Sequence, residues 1–458
     1  MTIPDRPRIT VPVSLSTAIE TRNAQGIAAG IGRLITSGDL PVGTRLPTVR
    51  ALAQELDVSP TTVSEAWRTL TAVGAIEPRG RNGTFVRQVP RPGAGQRYRR
   101  VTEGPGHFAL DLSTGTPDPE LLPDLGPIVA AVGRQNLTSS YLDSPVLPEL
   151  EELLRGAWPF EPESLTVVDG AMDAIDRVAQ VVVRLGDRVV VENPTFPPVL
   201  DLLDQLGAEV IGVDVDHEGM SLAGLEAAMA QRPSLVFLQP RAQNPTGTAT
   251  TPKRARAIAQ VVRGTSVVVV EDDHIGDIAA GPPVSVGRWL PAQTVHIRSF
   301  SKSHGPDLRM AAVGGAGEVV DALATRRLLG PGWSSRILQA VLLAMLRDDA
   351  TIDQIATARQ AYAERRAAFT VALAAQGITT AGTDGINQWV PVLDERSTTI
   401  ALAAQGIGVA PGAPFWVRPG ADHIRVTTGL VDDPGTLATL ADQLAAADRA
   451  AASQAGRR

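Results

Sequence analysis

The sequence predicts a multidomain chain, a small basic helical domain tethered to a large α/β domain. Three observations predict it. Residues 1–100 carry 14 arginines against 7 acids, whereas the rest carries 28 basic and 42 acidic side chains. An arginine-rich coding bias would act on the whole chain, so the asymmetry points to a nucleic-acid-binding arm on an acidic body. The apolar period then changes from helical spacing before residue 74 to short continuous runs beyond residue 110. Between them Pro90, Pro92, Gly93, Gly95, Gly104, Pro105 and Gly106 alternate with Arg91, Arg97, Arg99 and Arg100 without periodicity, so residues 89–110 read as a basic linker.

Composition narrows the classes. A chain of 458 residues with 43% hydrophobic and 20% charged residues is ordinary for a globular protein of two or three domains. Zero cysteines exclude disulfides, thiolate metal sites and thiol catalysis. No apolar run approaches a membrane span and Met1–Val13 lacks the apolar core of a signal peptide, so a cytoplasmic protein away from membranes is expected. Lysine is the outlier: there are 40 arginines and only two lysines, Lys253 and Lys302. Arginine stays protonated and cannot serve as an amine nucleophile, which a lysine can. Lys302 stands among hydroxyls in Ser299-Phe300-Ser301-Lys302-Ser303, with Arg309 seven residues on. A Schiff base to a phosphate-bearing aldehyde needs that set, and a surface lysine in a loop is the alternative.

In the basic domain, Ile19, Ile27, Ile31, Leu34 and Ile35 predict a helix from Ser16 to Ile35, ended by Gly38. A second helix runs from Thr48 through Leu56. Ser59 is a natural N-cap and Pro60 suits the first position of a third helix, which runs past Trp67 and Leu70 to Gly74. The tight turn between the last two reads as a helix-turn-helix. Ala75–Pro78 and Gly83–Val86 alternate like a hairpin, with Arg79, Gly80, Arg81 and Asn82 as a basic tip, which makes a wing. On Gly43, Arg45-Leu46-Pro47, Arg50, Leu52-Ala53, Val58-Ser59, Thr61-Thr62-Val63, Gly74 and Gly83-Thr84-Phe85-Val86, residues 15–88 resemble the winged helix-turn-helix of GntR-type regulators. The resemblance implies that Arg50, Ser59, Thr61 and Thr62 meet the major groove or its phosphates, and that Arg81 approaches the minor groove. Pro60 stands where that family usually has an arginine.

In the large domain, Leu165–Val168, Arg188–Val191, Glu209–Val213, Leu235–Leu238, Val267–Val270, Val295–Ile297 and Met310–Val313 are short apolar runs, as in strands buried on both faces. The helices Ala174–Arg184, Pro198–Leu206, Leu222–Ala230 and Lys253–Val262 alternate with them, so a mostly parallel sheet is expected, with ligands at the carboxyl ends of its strands. Four polar signatures fall there: Asp169-Gly170-Ala171, whose small residues free helix N-terminal N–H groups for a phosphate; Gln243-Asn244-Pro245-Thr246-Gly247; Glu271-Asp272-Asp273; and Ser299–Lys302 with Arg309. A carboxylate facing a pyridine nitrogen keeps it protonated and makes the ring an electron sink.

In this order the four signatures resemble the fold-type-I aminotransferases over residues 111–450, which implies an α/β domain binding pyridoxal 5′-phosphate, with a small C-terminal α+β subdomain. By that resemblance Lys302 carries the cofactor as a Schiff base, Asp272 pairs with its ring nitrogen, and Asn244 holds its phenolic oxygen. Gly170, Ala171, Ser299, Ser301 and Arg309 hold its phosphate, Phe196 stacks on its ring, and Arg425 clamps a substrate or effector carboxylate. Tyrosine is usual where His274 stands; an imidazole can donate to the phenolic oxygen there too, but its charge changes near neutral pH. Phe196 is also often tyrosine, and Pro197 and Pro198 replace an expected basic residue. These departures bear on amino-acid turnover more than on cofactor binding.

The two halves together resemble the MocR subfamily of GntR-type transcriptional regulators. That implies a homodimer on double-stranded promoter DNA, with the cofactor or an amino-acid-like amine as effector. An active aminotransferase carrying a DNA-binding domain, and a dead dimerisation scaffold, are the alternatives.

Overall fold

The computed structural model describes residues 15, 19, 21–37, 39–72, 75–80, 83–86, 97, 101, 108–135 and 140–455. They form two compact units, a head and a body. In the head, α1 (Ala24–Ser37) begins where the Asn23 side chain accepts the Gly26 N–H at 2.8 Å. Thr21, Arg22 and Asn23 lie outside any helix, so α1 starts later than its apolar spacing predicts. Ile19 is the reason: it is buried in the head core without being part of α1, and its spacing mimics one more turn. Gly38 and Gly74, the expected helix ends, lie outside the described residues.

α2 (Val49–Leu56) is capped by Thr48, whose hydroxyl accepts the Ala51 N–H at 3.2 Å, and Asp57 closes it in the left-handed conformation. α3 (Pro60–Ala72) is capped by Ser59, which accepts the Thr62 N–H at 3.1 Å. Ile27, Ile31, Leu52, Leu56, Val63 and Leu70 close the core between the three helices. Strands β1 (Ile76–Pro78) and β2 (Thr84–Val86) pair antiparallel with Ile76 opposite Val86, as the wing requires. Loss of the Thr48 cap leaves a helix N–H without its acceptor, so Thr48→Ala is expected to lower head stability by about 1 kcal/mol, read from its thermal transition.

In the body, β3 (Leu110–Asp111) pairs with β13 (Ile407–Gly408). The main sheet has eight strands: β4 (Ser164–Val168), β5 (Arg188–Asn193), β6 (Glu209–Asp216), β7 (Gly219–Met220), β8 (Leu235–Leu238), β9 (Val268–Asp273), β10 (Thr294–Ser299) and β11 (Ala311–Gly315). Their order is β4-β11-β10-β9-β8-β5-β6-β7. The central strands β10, β9, β8 and β5 run parallel, β11 is antiparallel to both its neighbours, and β7 is antiparallel to β6. A smaller antiparallel sheet, β12 (Gln388–Pro391), β15 (His423–Val426) and β14 (Ala410–Pro411), shares a second core with the helices Asp349–Ala375, Glu395–Ala403 and Pro434–Ala455.

Three central strands run past the apolar stretch that announces them. β5 continues to Asn193, β9 to Asp273 and β10 to Ser299. The ladder between β9 and β10 pairs His296 with Glu271, Ile297 with Asp272 and Arg298 with Asp273. Backbone pairing thus carries charged side chains into the sheet's interior at its carboxyl edge.

Candidate functional site

Side chains alternate along a strand, and the three acids ending β9 have separate partners. Glu271 accepts from the Ser285 hydroxyl at 2.5 Å, from the Val286 N–H at 2.6 Å, and lies 2.9 Å from the His296 ring. Asp273 is held by Arg241 at 2.5 and 3.1 Å. Asp272 differs. Its Oδ2 accepts from the Gln239 amide at 2.8 Å, but its buried Oδ1 has no hydrogen-bond partner among the described residues. Burial pushes its carboxyl up to about 6, against the opposing pull of the Gln239 hydrogen bond and the Lys302 charge.

Lys302 follows the end of β10, half-buried, at the carboxyl edge of the sheet. Burial lowers its amine below the ordinary lysine range; the Asp272 charge opposes that and Arg425 adds to it. A lowered ammonium pKa makes the free amine more accessible, as a carbonyl-condensing lysine requires.

Asn244 joins the group from the turn after β8. Its backbone N–H is held by the Gln239 side-chain oxygen at 2.8 Å, and its own Oδ1 accepts from Arg425 at 3.3 Å, which leaves the amide NH2 as the donor for a ligand. Arg425 also donates to the Ser113 carbonyl and lies over the Phe415 ring. His274 is 7% exposed, with Nε2 placed 2.9 Å from the Ala242 carbonyl. Burial, reinforced by the Lys302 charge, lowers its pKa well below the usual histidine value. The neutral ring gives its one N–H to that carbonyl, so Nδ1 is an acceptor. In this tautomer the Asn244 amide is a donor open to a phenolic oxygen, and His274 would donate through Nδ1 only in the other tautomer or when protonated.

At the end of β4, Gly170 adopts φ +101°, and a Cβ there would lie 3.2 Å from the Arg309 guanidinium. Gly170 caps the helix Ala171–Val182 without a side-chain hydrogen bond. Arg309 is exposed, in the left-handed conformation, with Nη2 3.4 Å from the Asp169 carbonyl. Ser299 is buried and takes the Ser301 N–H at 3.4 Å. Phe196 is half-buried just before the helix Pro197–Leu206 and is not tied into the Lys302 group by any of these bonds.

Two residues of this network escaped the sequence reading. Gln239, 1% exposed, orients Asp272 and Asn244 with one amide, and its backbone N–H donates to Glu192 at 3.1 Å. Both are polar residues closing an apolar strand, the same signal that picks out Asp272. Burial drives the Glu192 carboxyl from 4.5 up to about 8. The folded chain therefore holds a proton that the unfolded chain has lost, and stability falls as pH rises through that window. Thermal unfolding of the cofactor-free protein is expected at higher temperature at pH 5 than at pH 8. Glu192→Gln should flatten that slope.

In the head, Arg50 and Thr61 are exposed, whereas the Ser59 and Thr62 hydroxyls lie 2.8 Å apart and are engaged in capping α3. Arg81 lies outside the described residues. Arg45, one of the residues that carry the GntR resemblance, lies across Gly83 in the wing; a Cβ there would meet its Nε at 2.7 Å, and φ +100° also favours glycine.

Residues 23–86 match the family model for bacterial regulatory proteins of the gntR family, and residues 109–444 match that for aminotransferase class I and II. The chain is 36% identical over 428 residues to the vitamin B6 salvage pathway transcriptional repressor PtsJ of Salmonella typhimurium, covering 91% of this chain and 96% of that protein. The chain belongs to the MocR-type regulators of the GntR family. The probable rhizopine catabolism regulatory protein MocR of Rhizobium meliloti is 25% identical over 82% of this chain and 84% of its own. Among solved structures, the α-aminoadipate aminotransferase LysN of Thermus thermophilus, complexed with N-(5′-phosphopyridoxyl)-L-leucine, superposes with a TM-score of 0.71 at 22% identity, over 80% of this chain and 98% of that one. This MocR-type chain thus combines a GntR head with an aminotransferase fold. No helix among its described residues is long and apolar enough to cross a membrane.

Proposed function

We propose that this regulator binds promoter DNA through its head and that pyridoxal 5′-phosphate, held at Lys302, sets how it does so. The observation that carries the reading is Asp272: a buried carboxylate oxygen without a partner is costly, and a protonated pyridine nitrogen is the partner that would satisfy it. Bound there, the cofactor would supply an aldehyde open to amines on a ring that withdraws electrons.

The chain's own groups have distinct tasks in this reading. Lys302 offers the amine, Asp272 keeps the ring nitrogen protonated, and Asn244 donates to the phenolic oxygen. Gly170, Ala171, Ser299, Ser301 and Arg309 receive the phosphate, the glycine because a Cβ would crowd Arg309. Phe196 covers the ring. Arg425, already gathered with Asn244, is the anchor for the carboxylate of an amino-acid-like effector. Arg50, Ser59, Thr61, Thr62 and Arg81 form the DNA face. The name of PtsJ, a repressor in vitamin B6 salvage, supports the cofactor itself as signal.

A homodimer fits the same reading. Tyr141, Leu142, Leu329 and Ile337 are exposed on two segments that Arg336 ties together through the Ser140 and Ser144 carbonyls. Apolar side chains so gathered mark an association surface.

The test is a titration of DNA from upstream of the protein's own gene, with and without pyridoxal 5′-phosphate. The cofactor is expected to shift the apparent Kd by about fivefold or more, the range of an allosteric coupling. An unchanged Kd together with no absorbance from a bound cofactor would overturn the proposal.

A further inference from the structure

A cavity of about 660 Å³ lies in the body, and none of the residues assigned to the cofactor lines it. Its volume is that of a small-molecule site. One wall is aromatic. Trp389 and His423 stack with their centroids 4.9 Å apart at 5° between planes, and Trp416 stands edge-on to both. Gly420 keeps that wall closed, since a Cβ there would lie 2.6 Å from the Trp416 ring. Asp214 and Asp216, from the end of β6, also line the cavity, and Arg418, two residues after Trp416, reaches Asp214.

The charges select a ligand class. Asp214 Oδ1 accepts from Asn193 and from Arg418, each at 2.8 Å, so the one arginine lining the cavity is already engaged. Asp216 pairs with the buried Arg254 at 2.9 Å. Burial lowers the His423 pKa, against the opposing pull of the Ala421 carbonyl 2.8 Å from its Nδ1. An anion would meet two carboxylates and a single paired guanidinium. A cation would meet two indoles, which attract positive charge through the ring quadrupole, and two carboxylates among the lining residues.

We propose that this cavity is a second small-molecule site, separate from the residues around Lys302, that takes an organic cation bearing an aromatic ring, held by Trp416 and Asp214. Two of its walls, Asn193-Pro194 and Thr246–Thr248, belong to the loops that carry Phe196 and Asn244. An occupant would therefore touch both cofactor loops without reaching Lys302.

The test uses the full chain and benzyltrimethylammonium as the probe. A quaternary ammonium has no N–H and cannot condense with an aldehyde, so its binding does not report on Lys302. Calorimetric titration is expected to show saturable binding to the native chain and equally to Lys302→Ala, while phenylacetate, which has a similar ring but the opposite charge, does not bind. Trp416→Ala is expected to weaken the probe tenfold or more. Arg418→Gln, a change at an exposed position, is expected to tighten it by freeing Asp214. Absence of saturable binding, or loss of binding in Lys302→Ala, overturns the proposal. So does phenylacetate binding that Arg418→Gln abolishes, which would make the cavity an anion site.

Discussion

Lys302→Arg is expected to abolish covalent attachment of pyridoxal 5′-phosphate. Borohydride treatment of the native protein with cofactor should fix the label on the peptide containing Lys302, and the variant should carry none there. The physical reason is strict: a guanidinium keeps its proton at every accessible pH and offers no amine lone pair. Arginine keeps the charge and much of the side-chain volume, so the body is expected to stay folded and basal DNA binding to persist. What should vanish is the response of DNA affinity to the cofactor. Lys253, exposed on the helix Pro252–Val262, is the internal control, and Lys253→Arg should leave both readouts intact. A Lys302→Arg protein whose DNA affinity still answers to the cofactor as the native one does would remove Lys302 from the switch.

Asp272→Ala is expected to weaken cofactor binding by about 10²–10⁴-fold, since breaking a buried ion pair by removing one partner costs about 3–5 kcal/mol. Equilibrium titration of the bound-cofactor absorbance measures it. The native protein should also show a pH signature. In the absence of cofactor the Asp272 carboxyl is pushed up to about 6. Below that pH it carries a proton, and pairing with a protonated ring nitrogen requires that proton to leave. Binding therefore releases a proton on the acid side, and affinity should fall by up to about tenfold per pH unit below about 6. Asp272→Asn should lack this limb. A native profile flat from pH 5 to 7, with Asp272→Ala binding as tightly as the native chain, would rule out Asp272 as the ring-nitrogen partner.

The same residue shows how far the sequence reaches. Asp272 is conspicuous because acids end an apolar run, but Glu271 and Asp273 end it equally, and only the family resemblance, not composition or spacing, prefers one of the three. The β9–β10 register does. It leaves Glu271 to Ser285 and His296, Asp273 to Arg241, and only Asp272 with an open oxygen near Lys302. Gln239 was invisible for a similar reason: its importance comes from three bonds to segments 5 to 47 residues away in sequence. His274 was noticed, but the direction of its proton depends on the Ala242 carbonyl, which only the folded turn brings within 2.9 Å.

In the head, local rules sufficed for α2 and α3, because Thr48, Ser59 and Pro60 act within a turn of their own helix. They failed at the start of α1, because Ile19 is buried by tertiary packing and not by membership of that helix. By itself the sequence determined the two-part architecture and the winged head, and it pointed to Lys302 as the candidate for amine chemistry. These follow from charge, apolar period and residue type, all of which are local. Only the tertiary structure decided which carboxylate keeps an unpartnered oxygen, which amide orients it and where the aromatic-lined cavity opens, because those depend on strand register and on loops that meet across the fold.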